Sequence, residues 1–411
     1  RYGGGGGQRR GWTPMTPWLS VVGIGEDGPE GLGPAARAAL NNAAVLVGGG
    51  RHLAMLPDDG RERLAWSSPL GHRVNEIVTR RGEAICVLAS GDPLCWGIGT
   101  TLAARIPIAE MRIFPAPSAF SLACARLGWP LPDVECLSLH GRSLALVNAC
   151  LYPSAKLLAL SNDGATPAKL AAHLVACGYG ESRIMVLERM GGPEEQRIEA
   201  TAATWQDETA DLNTIAVDCL GGPAHARVPG LEDNTFESDG QLTKREVRAV
   251  TLSALAPLPG QLLWDVGAGA GSIAIEWLRS DRRCRAIAIE REAARCARII
   301  TNAEALGVPG LDIVEGAAPE ALAGLTQPDT IFLGGGVANE ETWRVCWQAL
   351  GSGGRLVANA VTVTGESRIL EWQTRTGGRL VRLVVSRAEP MGDSVAWRAL
   401  RPVTQLIAEK P

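Results

Sequence analysis

The sequence predicts an α/β protein made of two α/β units in series. Short apolar runs alternate with stretches of helical spacing along almost the whole chain. The alternation restarts after a polar segment near residue 236, and several runs end in Gly-rich turns. Strands alternating with helices imply a mainly parallel sheet in each unit, with ligands at the carboxyl ends of the strands.

Residues 1–17, with five consecutive glycines, are expected to form a floppy tail, so that structure begins near Trp18. Residues 19–25 read as a strand running into Gly23-Ile24-Gly25-Glu26-Asp27-Gly28. A helix over 33–41 and a strand over 44–47 follow. Residues 84–89 form a buried strand that stops at Ser90-Gly91-Asp92-Pro93, and 111–114 a strand before Pro115-Ala116-Pro117-Ser118, which caps a helix to about Leu127. Strands also fit 157–160, 183–187 and 214–218. Residues 236–241 are short and polar, the plausible end of a linker, giving expected units at 18–233 and 240–411. Beyond it, helical spacing over 243–255 is ended by Pro257 and Pro259. Strands fit 262–266, 286–289, 311–314, 330–333, 355–361, 380–385 and 395–400, with helices at 272–278 and 292–306.

Composition excludes several classes. Divided near residue 233, the first part has 20 basic and 24 acidic residues and the second 20 and 20, without the basic excess of a nucleic-acid binder. No apolar run approaches the roughly 18 residues of a membrane span. The 10 Cys include no C-x-x-C pair and the 5 His no H-x-x-x-H, so reduced core thiols and no metal site are expected. The N-terminal residues lack an apolar core and cleavage site, so no signal peptide is read there and a cytoplasmic location is expected.

The strongest chemical signal is Asp265-Val266-Gly267-Ala268-Gly269-Ala270-Gly271, leaving a strand and entering a helix. Alternate glycines let backbone approach a ligand closely. The next strand ends in Glu290, an acid placed to accept ribose hydroxyls. The G-x-G-x-G spacing departs from the dinucleotide G-x-G-x-x-G, whose pyrophosphate an acid at Asp265 would repel. The sulfonium of S-adenosylmethionine (SAM) is cationic and would be attracted, so SAM is favoured over NAD. A tight turn with no ligand is the bland alternative.

At these residues a resemblance appears. Thr243-Lys244-Arg245-Glu246-Val247-Arg248, the loop at Asp265, and Asp329-Thr330-Ile331-Phe332-Leu333-Gly334-Gly335-Gly336 resemble the decarboxylating precorrin methyltransferase domain of cobalamin biosynthesis. Val21-Val22-Gly23-Ile24-Gly25, Gly49-Gly50-Arg51-His52-Leu53, Ser90-Gly91-Asp92-Pro93 and Leu139-His140-Gly141-Arg142 are similar to its companion, a tetrapyrrole methylase. The order of the halves resembles the fused precorrin-6Y methyltransferases, which methylate carbons 5 and 15 and remove an acetate carboxyl. The resemblance implies a two-lobed tetrapyrrole-methylase fold followed by a Rossmann-like SAM methyltransferase fold, with one SAM per domain. It implies cofactor contacts at Gly91, Asp92, Pro93, Ser118 and Ala119 in the first half, with Gly23-Ile24-Gly25 nearer the substrate. In the second it implies contacts at Thr243, Gly267, Gly269, Gly271 and Glu290, and at Gly316, Ala317 and Ala318. Relatives commonly carry an acid where this chain has Ala317. Carbon 15 and decarboxylation fall to the second half, carbon 5 to the first.

A methyl already activated on SAM asks the protein chiefly to align an attacking carbon, and a conjugated tetrapyrrole accepts the electrons left by decarboxylation. What remains is to hold many acetate and propionate arms, work suited to Arg. Arg51, Arg142, Lys244 and Arg245 are the candidates, and His52 and His140 could shuttle protons near neutrality. Each has a plain alternative: Arg51 and Arg142 as loop closures, Arg245 as an exposed helix residue, either His as a structural hydrogen-bonding group, and Asp92 as a helix cap. Expected partners are a tetrapyrrole substrate and further copies of the chain, without nucleic acid or membrane. An NAD-dependent dehydrogenase with a fused domain and a non-catalytic SAM-sensing module stay open as other functions.

Overall fold

The computed structural model describes residues 17–411; the expected tail over 1–17, save Pro17, lies outside them. The described residues divide into two compact units, 17–142 with Ser154–Gly221, and Ser143–Pro153 with Gly222–Pro411. This differs from a boundary between 233 and 240, both in the crossing point and in giving an internal segment of the first half to the second unit.

The first unit has two lobes. Strands β1 (Leu19–Ile24), β2 (Val45–Gly48), β3 (Glu62–Ala65), β4 (Ile85–Ser90) and β5 (Met111–Phe114) form a parallel sheet of order β3-β2-β4-β1-β5. Helices α1 (Pro34–Asn41), α2 (Gly50–Ala54), α3 (Leu70–Thr79) and α4 (Ile98–Ala103) lie along its crossovers. Both faces of the sheet are covered, which is why its strands read as continuous apolar runs. In β4, Ile85, Val87 and Ala89 enter one core cluster while Cys86 and Leu88 enter the other.

The second lobe follows α5 (Ala119–Leu127). Strands β6 (Glu135–Ser138), β7 (Lys156–Leu160), β8 (Arg183–Glu188), β9 (Gln196–Thr201) and β10 (Asn213–Asp218) form a sheet of order β6-β7-β10-β8-β9, with α6 (Thr166–Ala176) after β7. Only β6 and β7 pair in parallel; the other pairings are antiparallel. The expectation of a mainly parallel sheet fails in this lobe. The connection between β8 and β9 is too short for a crossover helix, and a short connection returns the chain antiparallel. Phe120, Ala123 and Cys124 of α5 pack onto Leu158, Leu187 and Ala216 of this sheet.

The second unit is built on one seven-stranded sheet. Its strands are β11 (Leu262–Val266), β12 (Arg285–Glu290), β13 (Asp312–Glu315), β14 (Thr330–Leu333), β15 (Arg355–Ala360), β16 (Arg379–Leu383) and, after a separate hairpin β17 (Ser386–Met391) and β18 (Ser394–Ala399), β19 (Val403–Glu409). The order is β13-β12-β11-β14-β15-β19-β16, parallel through β15, with β19 antiparallel to both neighbours. The strand expected over 395–400 is the second arm of the hairpin rather than part of the main sheet. Helices α7 (Arg245–Leu255), α8 (Ser272–Ser280) and α9 (Ala293–Ala305) cover one face through Leu252, Ile275, Trp277 and Ile299. Helices α10 (Glu340–Ala349) and α11 (Val363–Thr376) cover the other, where Trp343 and Trp372 stack at 5.2 Å between ring centroids. The order reverses direction between β11 and β14, the switch point at which open α/β sheets place a ligand crevice.

Two segments complete the unit. Leu144–Cys150 is a 3-10 helix packed on the end of α9, where Asn148 Nδ2 donates to Glu304 O at 2.9 Å. Residues 236–241, read as a linker end, are instead packed structure: Phe236 is buried in the core with Leu252 and Trp277, the Glu237 backbone bonds Asn302 and Asp239 pairs with Arg295 and Arg298. No helix among the described residues is long and apolar enough to cross a membrane.

Candidate active sites

In the first unit β4, β1 and β5 are adjacent and parallel, so their carboxyl ends share one edge. A Cβ on Gly23 would overlap Gly91 O and stand 2.7 Å from Ala116 N, so glycine alone permits this approach. Gly91 N donates to Ile24 O at 3.1 Å and Ala116 N to Gly91 O at 3.3 Å. Gly91 has φ +56°, and its Cβ would lie 3.3 Å from Ser118 Cα. The structure therefore brings Gly91, Asp92, Pro93, Ser118 and Ala119 together beside Gly23. Asp92 Oδ1 accepts from Leu94 N at 2.9 Å, closing its own turn rather than capping α4. Ser118 caps α5 by accepting from Ser121 N at 3.1 Å.

A polar cluster lies at the mouth of the same edge. Arg51 pairs with Glu26 and donates to His52 Nε2 at 2.9 Å and to Ser90 Oγ at 3.3 Å, while Ser90 Oγ lies 3.1 Å from that Nε2. His52 is buried, and that burial, with the Arg51 cation second, holds its imidazole down to about 4. It is a neutral acceptor near neutrality, not a group titrating there. His140 and Arg142 occupy the exposed turn after β6, where Gly141 N donates to Asn162 Oδ1 at 3.0 Å.

The second unit answers with buried acids. Glycines 267, 269 and 271 all have positive φ, and a Cβ on Gly267 would collide with the backbone of Gly335 at the end of β14. Gly335 N donates to Val266 O at 2.9 Å and Gly267 N to Ile289 O at 2.9 Å, drawing three strand ends together. Asp265 is 1% exposed; its Oδ2 accepts from Ala274 N at 3.0 Å and its Oδ1 has no partner among the described residues. Burial first, and the Glu290 carboxylate as well, push Asp265 up to about 7. Glu290, 4% exposed, accepts from Gly269 N at 2.8 Å, Arg291 N at 3.0 Å and Glu292 N at 3.1 Å. Gly316 joins this edge through Gly316 N to Glu290 O at 2.9 Å, with Ala317 exposed and Ala318 half-buried beside it.

Thr243 and Lys244 stand at the start of α7, half-buried, and Lys244 forms no ion pair among the described residues. Arg245 is tied to Glu232 and donates through Nε to Gly230 O at 3.0 Å, so its guanidinium is already engaged.

Sequence reasoning missed the group that holds this corner. Arg248 is 0% exposed and donates to Glu276 Oε1 at 2.6 Å and to Thr243 O at 2.5 Å. Glu276 also accepts from Gly230 N at 2.6 Å and Leu231 N at 3.0 Å. The signal was available: Arg248 shares a helical face with buried Thr251 and Leu252, and Glu276 sits within the apolar run Ile273-Ala274-Ile275-Glu276-Trp277. A charge of each sign on an apolar face of two neighbouring helices is the mark of a buried pair.

The family profile described as tetrapyrrole (corrin/porphyrin) methylases matches residues 19–206, and that described as a precorrin methyltransferase domain matches 234–410. The chain is 50% identical over 396 residues to a precorrin-6Y C(5,15)-methyltransferase [decarboxylating] of Sinorhizobium sp, covering 95% of this chain and 96% of that protein. Two shorter proteins match about half of it each. One, a cobalt-precorrin-7 C(5)-methyltransferase of Salmonella typhimurium, is 36% identical over 48% of this chain and 98% of its own length. The other, named probable cobalt-precorrin-6B C(15)-methyltransferase (decarboxylating) in Saccharolobus solfataricus, is 30% identical over 45% of this chain and 97% of its own.

Proposed function

The chain belongs to the family of decarboxylating precorrin-6Y C(5,15)-methyltransferases, and from that premise we propose that it methylates precorrin-6Y at carbons 5 and 15 and removes one acetate carboxyl, giving precorrin-8. We assign carbon 5 to the first unit and carbon 15 with decarboxylation to the second. The existence of half-length relatives named separately for each activity supports that division.

The observation that carries the reading is the charge of the second corner. An acid with an unpartnered, buried oxygen, Asp265, sits beside Glu290 and a loop whose glycines leave room for a ligand. Two acids at one buried edge repel each other, and a cation entering there relieves that repulsion. The residues present therefore fit SAM, and we place one molecule in each unit, at 91–93 with 118–119 and at 265–271 with Glu290, Thr243 and 316–318. Bound SAM supplies a methyl already activated on a sulfonium. The protein's task is to fix an attacking carbon against it and to exclude water.

The tetrapyrrole's carboxylates need cations with free donors. Arg142 and Lys244 have no ion-pair partner among the described residues and meet that need directly. Arg51 and Arg245 can serve only by exchanging Glu26 or Glu232 for a substrate carboxylate. Such an exchange costs little for the exposed Arg245–Glu232 pair and more for Arg51, whose partner Glu26 is largely buried. In the first unit the proton that a methylated bridge carbon must shed passes to water, while neutral His52 and Ser90 hold Arg51 at this edge. In the second, breaking the acetate C–C bond leaves its electron pair in the conjugated ring, and carbon dioxide departs.

The test is incubation of the full chain with methyl-labelled SAM and precorrin-6Y. The product should carry two labelled methyls and have released one carbon dioxide. Product with neither change would refute the assignment.

A further inference from the structure

Residues 236–243, ahead of α7, run across the glycine loop of the second unit: a Cβ on Gly269 would stand 2.9 Å from Gln241 O. One side chain ties this stretch to the loop. Asn302 of α9 is 2% exposed; its Nδ2 donates to Glu237 O at 3.0 Å and to Ala270 O at 3.0 Å, while its Oδ1 accepts from Glu237 N at 2.8 Å. Two carbonyls and one N–H dictate a side chain with two donors and an acceptor, which only an amide supplies at this length. The far end of the stretch is fixed separately, by Arg248 on Thr243 O at 2.5 Å. Between the two anchors, Asp239 pairs with Arg295 at 2.9 Å and Arg298 at 3.0 Å, half-exposed contacts that contribute little each.

We propose that Asn302 is a positioning residue for the cofactor cleft of the second unit, holding residues 236–243 at a set distance from the loop over 267–271 so that the ligand meets a preformed wall. The inference rests on the SAM reading above. Asn302 itself does not touch the ligand. Its role is to remove the ordering that binding would otherwise have to supply, which is how preorganisation raises affinity. Ala270 O is the informative contact: a bond serving only α9 packing would have no reason to reach the loop.

The experiment uses the full chain, SAM as the probe, and the first unit's site as an internal reference. Asn302→Asp keeps the shape but sets a carboxylate against two carbonyls. It should weaken SAM at the second site by about tenfold or more, the equivalent of one net hydrogen bond, with first-site affinity unchanged. Amide exchange at Glu237 should quicken in the ligand-free variant. Gln405→Leu is the control for general destabilisation, since Gln405 is equally buried and donates to Thr251 Oγ1 at 3.1 Å and Asn359 Oδ1 at 2.9 Å. It should lower the unfolding temperature without changing second-site affinity. Unchanged SAM affinity in Asn302→Asp, or equal weakening in Gln405→Leu, overturns the proposal. Should Asn302→Asp fail to fold, Asn302→Ser, smaller and uncharged, is expected to move affinity the same way and is judged by the same outcomes. A wild-type chain that binds SAM only in its first unit refutes the underlying cofactor reading, a result distinct from either.

Discussion

The two candidate sites are both edges of parallel strands closed by glycines, yet they are charged in opposite ways. The first unit presents a guanidinium, Arg51, among Glu26, His52 and Ser90, with its acid Asp92 spent on its own turn. The second presents two buried carboxylates, Asp265 and Glu290, and its buried cation Arg248 is neutralised by Glu276. If SAM occupies both sites as proposed, the difference teaches that a common ligand can be met in two ways. In the first, backbone and shape must recognise the cofactor; in the second, fixed negative charge in a low-dielectric corner adds to them. The second site should therefore be the one sensitive to pH and to isosteric loss of charge.

The largest break in the comparison is steric. Gly269→Val puts a branched side chain at φ +60° against Gln241 O, and SAM stoichiometry by titration calorimetry should fall from two to one per chain, the survivor having first-site affinity. Next is Arg248→Met, which leaves Glu276 buried without its cation. Breaking one side of such a pair costs about 3–5 kcal/mol, so denaturant unfolding should show that loss in the second unit alone. Replacing both, Arg248→Met with Glu276→Leu, should recover much of it.

Glu290→Gln is smaller. Its carboxylate accepts three backbone N–H groups, and an amide turns one acceptor into a donor facing them. If its carboxylate also accepts the ribose hydroxyls, a bond to a charged group is worth roughly 1.5–3 kcal/mol, so second-site affinity should drop by at least about tenfold while the first site is untouched. The mildest test is pH. Asp265, raised to about 7 by burial and by Glu290, is ionised over pH 6 to 8, so SAM affinity at the second site should climb by somewhat under tenfold across that range. The sign reverses for stability without ligand. A carboxyl whose folded value lies above its unfolded one stabilises at low pH, and that contribution is lost as pH rises from about 4 to 7. Asp265→Asn should flatten both curves; a slope that persists would assign the titration elsewhere.

The glycine corners were legible because their signal is local: a strand, alternate glycines and a helix are consecutive in sequence. Sheet order and the second lobe's antiparallel pairing were not, since β7, β8 and β10 carry the apolar run of parallel strands and differ only in how they connect. The strand over 395–400 was expected in the sheet because Val395 to Ala399 alternates as a sheet strand would, yet Val395 and Trp397 are exposed, and β19 over Val403–Glu409 was not read. Residues 236–241 read as linker because they are polar; the Glu237 backbone is held by Asn302 and the Asp239 side chain by Arg295 and Arg298, partners that lie far on in the sequence. His52 could be found by motif, but its neutrality depends on burial, which no single sequence displays.

The 3-10 helix Leu144–Cys150 has a consequence for synthesis. It emerges from the ribosome roughly 140 residues before α9, the helix it packs on, has been made. At about 5–20 residues per second the nascent chain spends on the order of ten seconds with this segment unmatched, its Val147 destined for burial but bare. The first unit must close around that gap in its own sequence, and the segment must then be claimed late. Slow translation of the second half should therefore expose a sticky, protease-accessible loop in an otherwise finished N-terminal half.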